Sequence, residues 1–78
     1  MIAIQTVGRW GRRPLYAAKI GSGSSACVVV KRARKFAVEQ RIEFANERDL
    51  RGMSTGQTPK WRVGYIWLIE DERLFIRI

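Results

Sequence analysis

The sequence predicts an α+β domain: a small, mostly antiparallel sheet of four or five strands with one main α-helix packed on one face. Three observations carry this. The C-terminal third alternates apolar residues as strands do. The middle third spaces its apolar residues by three and four, as a helix does. The N-terminal third has two apolar runs around a Gly- and Arg-rich loop, which reads as a hairpin. A chain of 78 residues is a single domain, 1–78, with one modest core.

In chain order, Ile2, Ile4 and Val7 alternate nearly enough to predict a short strand. Gly8–Pro14 (GRWGRRP) is the loop at the hairpin tip, and Leu15–Ile20 is the second strand. Gly21–Ser25 is a second loop, ending in two N-cap residues, Ser24 and Ser25. Beyond it Ala26, Val29, Val30, Ala33, Phe36 and Ala37 share one face of a helical wheel, with Lys31, Arg32, Arg34 and Lys35 on the remainder. Val28–Val30 is a competing strand signal.

The helix is expected to end near Gln40. Residues 41–46 read as a short strand, although Phe44 also continues the helical face. Met53–Pro59 is a turn-rich loop. Trp61, Val63, Tyr65, Trp67 and Ile69 then alternate, Ile66 and Leu68 fill the other face, and Leu74–Ile78 follows. Glu70-Asp71-Glu72 is the connection of this last hairpin.

The net charge of +8 is placed unevenly. Residues 1–41 hold nine bases against one acid, Glu39, whereas residues 42–78 hold six of each. That asymmetry points to a polyanionic partner, nucleic acid or a ribonucleoprotein complex. The lone Cys27 has no partner for a disulfide, which suits a reducing compartment. No run approaches the roughly 18 apolar residues of a membrane span, so a cytoplasmic location with no membrane partner is expected.

The residue inventory narrows the chemistry. There is no histidine and one cysteine, which leaves no zinc site and removes the commonest general base. Glu39, Glu43 and Glu47, spaced with Lys35 and Arg51, read as an ion-pair ladder rather than catalytic carboxylates. Gly21–Ala26 has the spacing G-x-G-x-x-A, but the chain has no room for the parallel sheet of a dinucleotide site. Its expected role is a helix N-cap whose amides can hold one backbone phosphate. No catalytic residue, metal or cofactor is therefore assigned.

Arginines interleaved with aromatics remain. Arg9, Trp10, Arg12, Arg13 and Tyr16 on the hairpin are expected either to bracket a nucleic-acid strand or, with Trp10 folded back over the core, to leave these arginines merely solvated. Lys31, Arg32, Arg34 and Lys35 add a second row of phosphate contacts.

Two resemblances add to this reading. Trp61–Ile76 (WRVGYIWLIEDERLFI) resembles the C-terminal hairpin of RelE/ParE-type toxins, whose ribonuclease members cleave messenger RNA without histidine. That resemblance implies Lys60, Arg62, Tyr65 and Arg77 as the positions to suspect. The expected layout of strands around one helix also resembles phage-encoded anti-CRISPR proteins, non-enzymatic inhibitors of CRISPR effector complexes. The leading expectation is a small basic, non-enzymatic protein that binds nucleic acid or a nucleoprotein complex. The alternatives are a RelE-like ribonuclease and a purely protein-binding inhibitor.

Overall fold

Two-sided burial, not helical spacing, organises the middle of this chain. The computed structural model describes residues 2–23 and 25–78. Its elements are β1 (Gly8–Trp10), β2 (Arg13–Ile20), β3 (Ser25–Val30), β4 (Arg41–Asn46), a one-turn helix α1 (Glu47–Leu50), β5 (Arg62–Glu70) and β6 (Arg73–Arg77). About half of the chain is strand, and no helix among the described residues reaches seven residues. The expected α+β fold with a main helix is thus replaced by a closed β-barrel of five strands.

Strands β2 to β6 follow one another as antiparallel neighbours, and β6 returns to pair with β2. An odd number of alternating strands makes the first and last run the same way. The closing pair, Ala17–Ile20 with Arg73–Ile76, is accordingly parallel. Closure leaves these five strands no open sheet edge of their own. β1 pairs with the first residues of β2, outside the ring.

The three consecutive valines explain the failed helix. Val28 and Val30 point into the barrel beside Tyr16, Ala18, Phe44, Ile66, Leu74 and Ile76. Val29 points outward, into a second cluster with Leu15, Ala45 and Leu50. A strand buried on both faces is apolar at successive positions and loses its alternation, so its spacing can imitate a helix. β-branched side chains then favour the extended backbone.

The four bases expected on a helical face, Lys31, Arg32, Arg34 and Lys35, lie instead on the connection between β3 and β4. Glu39, Glu43 and Glu47 likewise fall on that connection, on β4 and on α1, and form no common ladder. Gly21–Gly23 turns from β2 into β3, so no helix N-terminus follows it. Of the two expected N-cap residues, Ser25 opens β3 and Ser24 lies outside the described residues.

The C-terminal hairpin holds where it was expected, whereas the N-terminal one lies within the expected loop. GRWGRRP is strand–turn–strand rather than loop: Gly8, Arg9 and Trp10 pair with Leu15, Pro14 and Arg13. The two-residue turn is Gly11-Arg12. Gly11 has φ +62°, and a Cβ there would lie 2.8 Å from the Thr55 Cβ, so glycine satisfies both backbone and packing. The expected first strand over residues 2–7 is absent: this segment holds the bridge between Ile2 and Phe36, and the Val7 N–H donates to the Leu15 carbonyl at 2.9 Å.

Residues 41–46 are strand, as the alternation suggested, and β5 and β6 occupy the last hairpin. Its turn places Asp71 and Glu72 at φ +53° and +57°, the left-handed pair that a type I′ turn requires. Between Ile66 and Leu68 the pairing of β5 with β6 slips by one residue. Ile66 faces the interior before this bulge and Ile69 packs on the core after it, while Trp67 is the extra residue.

The second cluster forms a layer outside the barrel wall. α1 packs against β3 and β4. Trp10, Cys27, Met53 and Trp61 close over Leu15, Val29, Ala45 and Leu50. Asp49 of α1 ties this layer to β5: Arg62 donates from Nε at 2.9 Å and from Nη2 at 3.2 Å to its two oxygens.

That pair holds the Asp49 carboxyl below the usual carboxylate range, first through the Arg62 hydrogen bonds. A carboxyl lowered in the folded state stabilises the fold above its unfolded pKa, and that contribution disappears as pH falls through the folded value. Thermal midpoints are therefore expected to drop as pH goes below about 4. In Arg62→Ala that part of the acid dependence should be shallower, which a melting series in pH will read.

Candidate nucleic-acid interface

The β1–β2 hairpin and the β3–β4 connection meet at one end of the barrel, and the chain's positive charge converges there. Strand alternation decides which hairpin side chains take part. In β1, Trp10 turns onto the second cluster, whereas Arg9 is exposed on a cleft of about 430 Å³. Arg9, Arg12, Arg34, Tyr16, Thr6 and Pro14 line it. A smaller hollow of about 140 Å³ adjoins it and shares Arg12, Pro14 and Arg34, adding Arg13, Lys31 and Arg32 to the lining. No carboxylate lines either space among the described residues.

Phe36 positions the loop half of this cleft. Its side chain is fully buried and meets the Tyr16 ring edge-on, with centroids 5.0 Å apart at 82°. Its backbone exchanges two hydrogen bonds with Ile2, each 2.7 Å long. The connection is also tied to β5, where the Ile66 N–H donates to the Gln40 carbonyl at 3.0 Å. Tyr16 is buried below Arg34; burial raises its hydroxyl pKa and the Arg34 charge acts the other way.

The expected contact residues divide by environment. Arg9, Arg12, Arg32 and Arg34 are exposed cations. Arg13 is held: its guanidinium lies 5.1 Å from the centre of the Trp61 ring, and Nη1 donates to the Lys31 carbonyl at 3.4 Å. Lys31 is paired with Glu43 at 3.6 Å. Lys35 is exposed but lines neither space, and Trp10 serves the second cluster instead.

The positions suggested by the toxin resemblance are split. Lys60 and Arg62 line a hollow with Asp49, Met53 and Trp61, and Arg62 is occupied by Asp49. Tyr65 and Arg77 stand directly opposite each other on β5 and β6.

Two exposed residues beside these positions escaped the sequence reading. Arg41 pairs across from Tyr65 on β4, and Trp67 stands exposed at the bulge. Both β5 faces are apolar in sequence, so only the closed barrel decides which face is outside.

A further cavity of about 520 Å³ has Cys27, Glu47, Arg48, Arg51 and Arg73 among its lining residues. Burial, then the neighbouring Glu47, push the Cys27 thiol pKa up, which disfavours the thiolate a nucleophile requires. Among the described residues no group of three or more Cys, Asp or Glu side chains is arranged to hold a metal ion. No helix among them is long and apolar enough to cross a membrane. No protein-family model matches the chain, and neither does any curated protein or solved structure.

Proposed function

We propose that this protein binds nucleic acid, free or within a nucleoprotein complex, through the cationic cleft, and that it does so without catalysing a reaction. The carrying observation is the lining of that cleft. Arg9, Arg12 and Arg34 face one space from two chain segments, with no carboxylate to neutralise them. Guanidinium groups clustered in this way repel one another until an anion sits between them. Phosphodiesters suit their fork of donors. The lone cysteine and the basic surface fit a cytoplasmic setting, where nucleic acid is abundant.

Polarisation titrations with a labelled 20-nucleotide single strand and a duplex, over a range of salt, test the proposal. Affinity should fall steeply with salt, and Arg12→Ala/Arg34→Ala should reduce the slope by about 2, because each phosphate contact releases about one counterion. Absent or salt-insensitive binding refutes the reading. The oligonucleotide should be recovered intact; cleavage lost in Arg77→Ala would favour a ribonuclease instead.

A further inference from the structure

The outer wall of the barrel is covered unevenly. α1 lies over β3 and β4, and β1 lies beside β2. The outward row of β5 keeps Val63, Tyr65 and Trp67 exposed at 40%, 44% and 46%. Three large apolar side chains in a row on one strand of so small a protein mark a surface for a partner.

The charges around the row say which partner. Tyr65 stands between Arg41 on β4 and Arg77 on β6, directly opposite both, and Lys19 of β2 stands opposite Phe75. Cross-strand neighbours share a face, so rings and cations alternate across the wall. Glu43, the acid opposite Val63, is engaged by Lys31. Arg41 and Arg77 are exposed, with no carboxylate in ion-pair contact among the described residues. A flat ring flanked by unpaired cations complements a base flanked by phosphates.

The geometry is also preset. The bulge makes Trp67 the extra residue of β5, the kind of irregularity that re-aims a side chain beside a binding surface. Phe75 braces its ring edge-on at 5.6 Å between centroids. Between row and cleft lies a hollow of about 200 Å³ that shares Lys31 and Arg32 with the cleft side; its lining includes Arg41, opposite Tyr65, and Glu43, whose charge Lys31 engages.

We infer that the outer face of β5 and β6 is a stacking platform for the bases of a single-stranded nucleic acid whose backbone passes from the cationic cleft by way of Arg41. This rests on the proposed function and specifies its ligand. A duplex keeps its bases stacked on one another and presents only phosphates to the cleft. A single strand can offer both groups at once.

The test compares a labelled 20-nucleotide DNA strand, the same sequence as RNA, and a DNA duplex of equal length. The protein is the full chain, and its variants are checked for an unchanged melting midpoint. Tyr65→Ala/Trp67→Ala should weaken single-strand binding by roughly 10- to 100-fold, leave duplex binding within about twofold, and leave the salt slope unchanged. Single-strand binding should also quench tryptophan emission, and Trp67→Phe should remove most of the quench, because Trp10 and Trp61 are packed in the second cluster. A similar loss with DNA and RNA, or with one of them alone, supports the platform and assigns its preferred strand.

If Tyr65→Ala/Trp67→Ala binds single strands as the parent does while Arg12→Ala/Arg34→Ala weakens them, the platform is overturned and the cleft stands. If the parent binds no nucleic acid, both readings fall. If the parent self-associates through this row in sedimentation, and single strands do not compete, the face belongs to a second copy and the platform is overturned.

Discussion

Replacing Phe36 by alanine should destabilise the protein by about 4 kcal/mol, within the range for a fully buried phenylalanine. For a domain of this size that lowers the melting midpoint by roughly 20 °C. Phe36 is fully buried where the β3–β4 connection crosses the barrel end, in contact with the Tyr16 ring and the interior cluster. Its deletion leaves a cavity that neighbouring strands, held in a closed ring, can fill only in part.

The same loss should reach the cleft. Arg32 and Arg34 are set by the connection that Phe36 anchors, so surviving Phe36→Ala protein should bind polyanions more weakly at temperatures where it is still folded. Thermal melts and salt titrations on one preparation separate the two effects. Phe36→Leu keeps most of the buried volume and is expected to restore much of both.

Gly64→Ala is expected to cost about 3 kcal/mol, at the upper end for overpacking a core. Gly64 faces the interior of β5 between β4 and β6. A Cβ there would lie 2.8 Å from Ile76 Cγ2, 2.9 Å from the Arg77 carbonyl oxygen and 3.0 Å from Phe44 Cε1. Two of these atoms belong to fully buried side chains and the third is backbone, so no flexible end can yield. Chemical denaturation of Gly64→Ala beside the parent reads the effect. A midpoint within experimental scatter of the parent would mean that the barrel is wider at this level than the packing of Phe44 and Ile76 implies.

What could be read early follows from what each element buries. β6 buries one face, so its alternation shows in the sequence, and the acidic Glu70-Asp71-Glu72 marks the turn before it; in β5 the alternating row Val63, Tyr65 and Trp67 is instead the exposed face. Val28–Val30 bury both faces, and the spacing of the residues around them passed for helical periodicity. Trp10 posed a different difficulty. The order of residues allows either an exposed contact or a ring folded back on the core, and alternation in β1 decides it by sending Arg9 to the cleft and Trp10 to the second cluster. Arg13 looked equivalent to Arg12 and is instead held over Trp61, nearly fifty residues away in the chain.

The amino-acid order alone determined the concentration of positive charge in residues 1–41, the absence of histidine, and the hairpin at the C-terminal end, because composition and short-range alternation are local properties. Ring closure, the outward aim of Tyr65 and Trp67, and the meeting of Arg9 and Arg12 with Arg34 were decided only in three dimensions. Each depends on pairing between distant segments: β2 with β6, β4 with β5, and Phe36 with Ile2 and Tyr16. A strand's own residues specify that it has two faces. Which face meets solvent is settled by the strands beside it and by what packs over them.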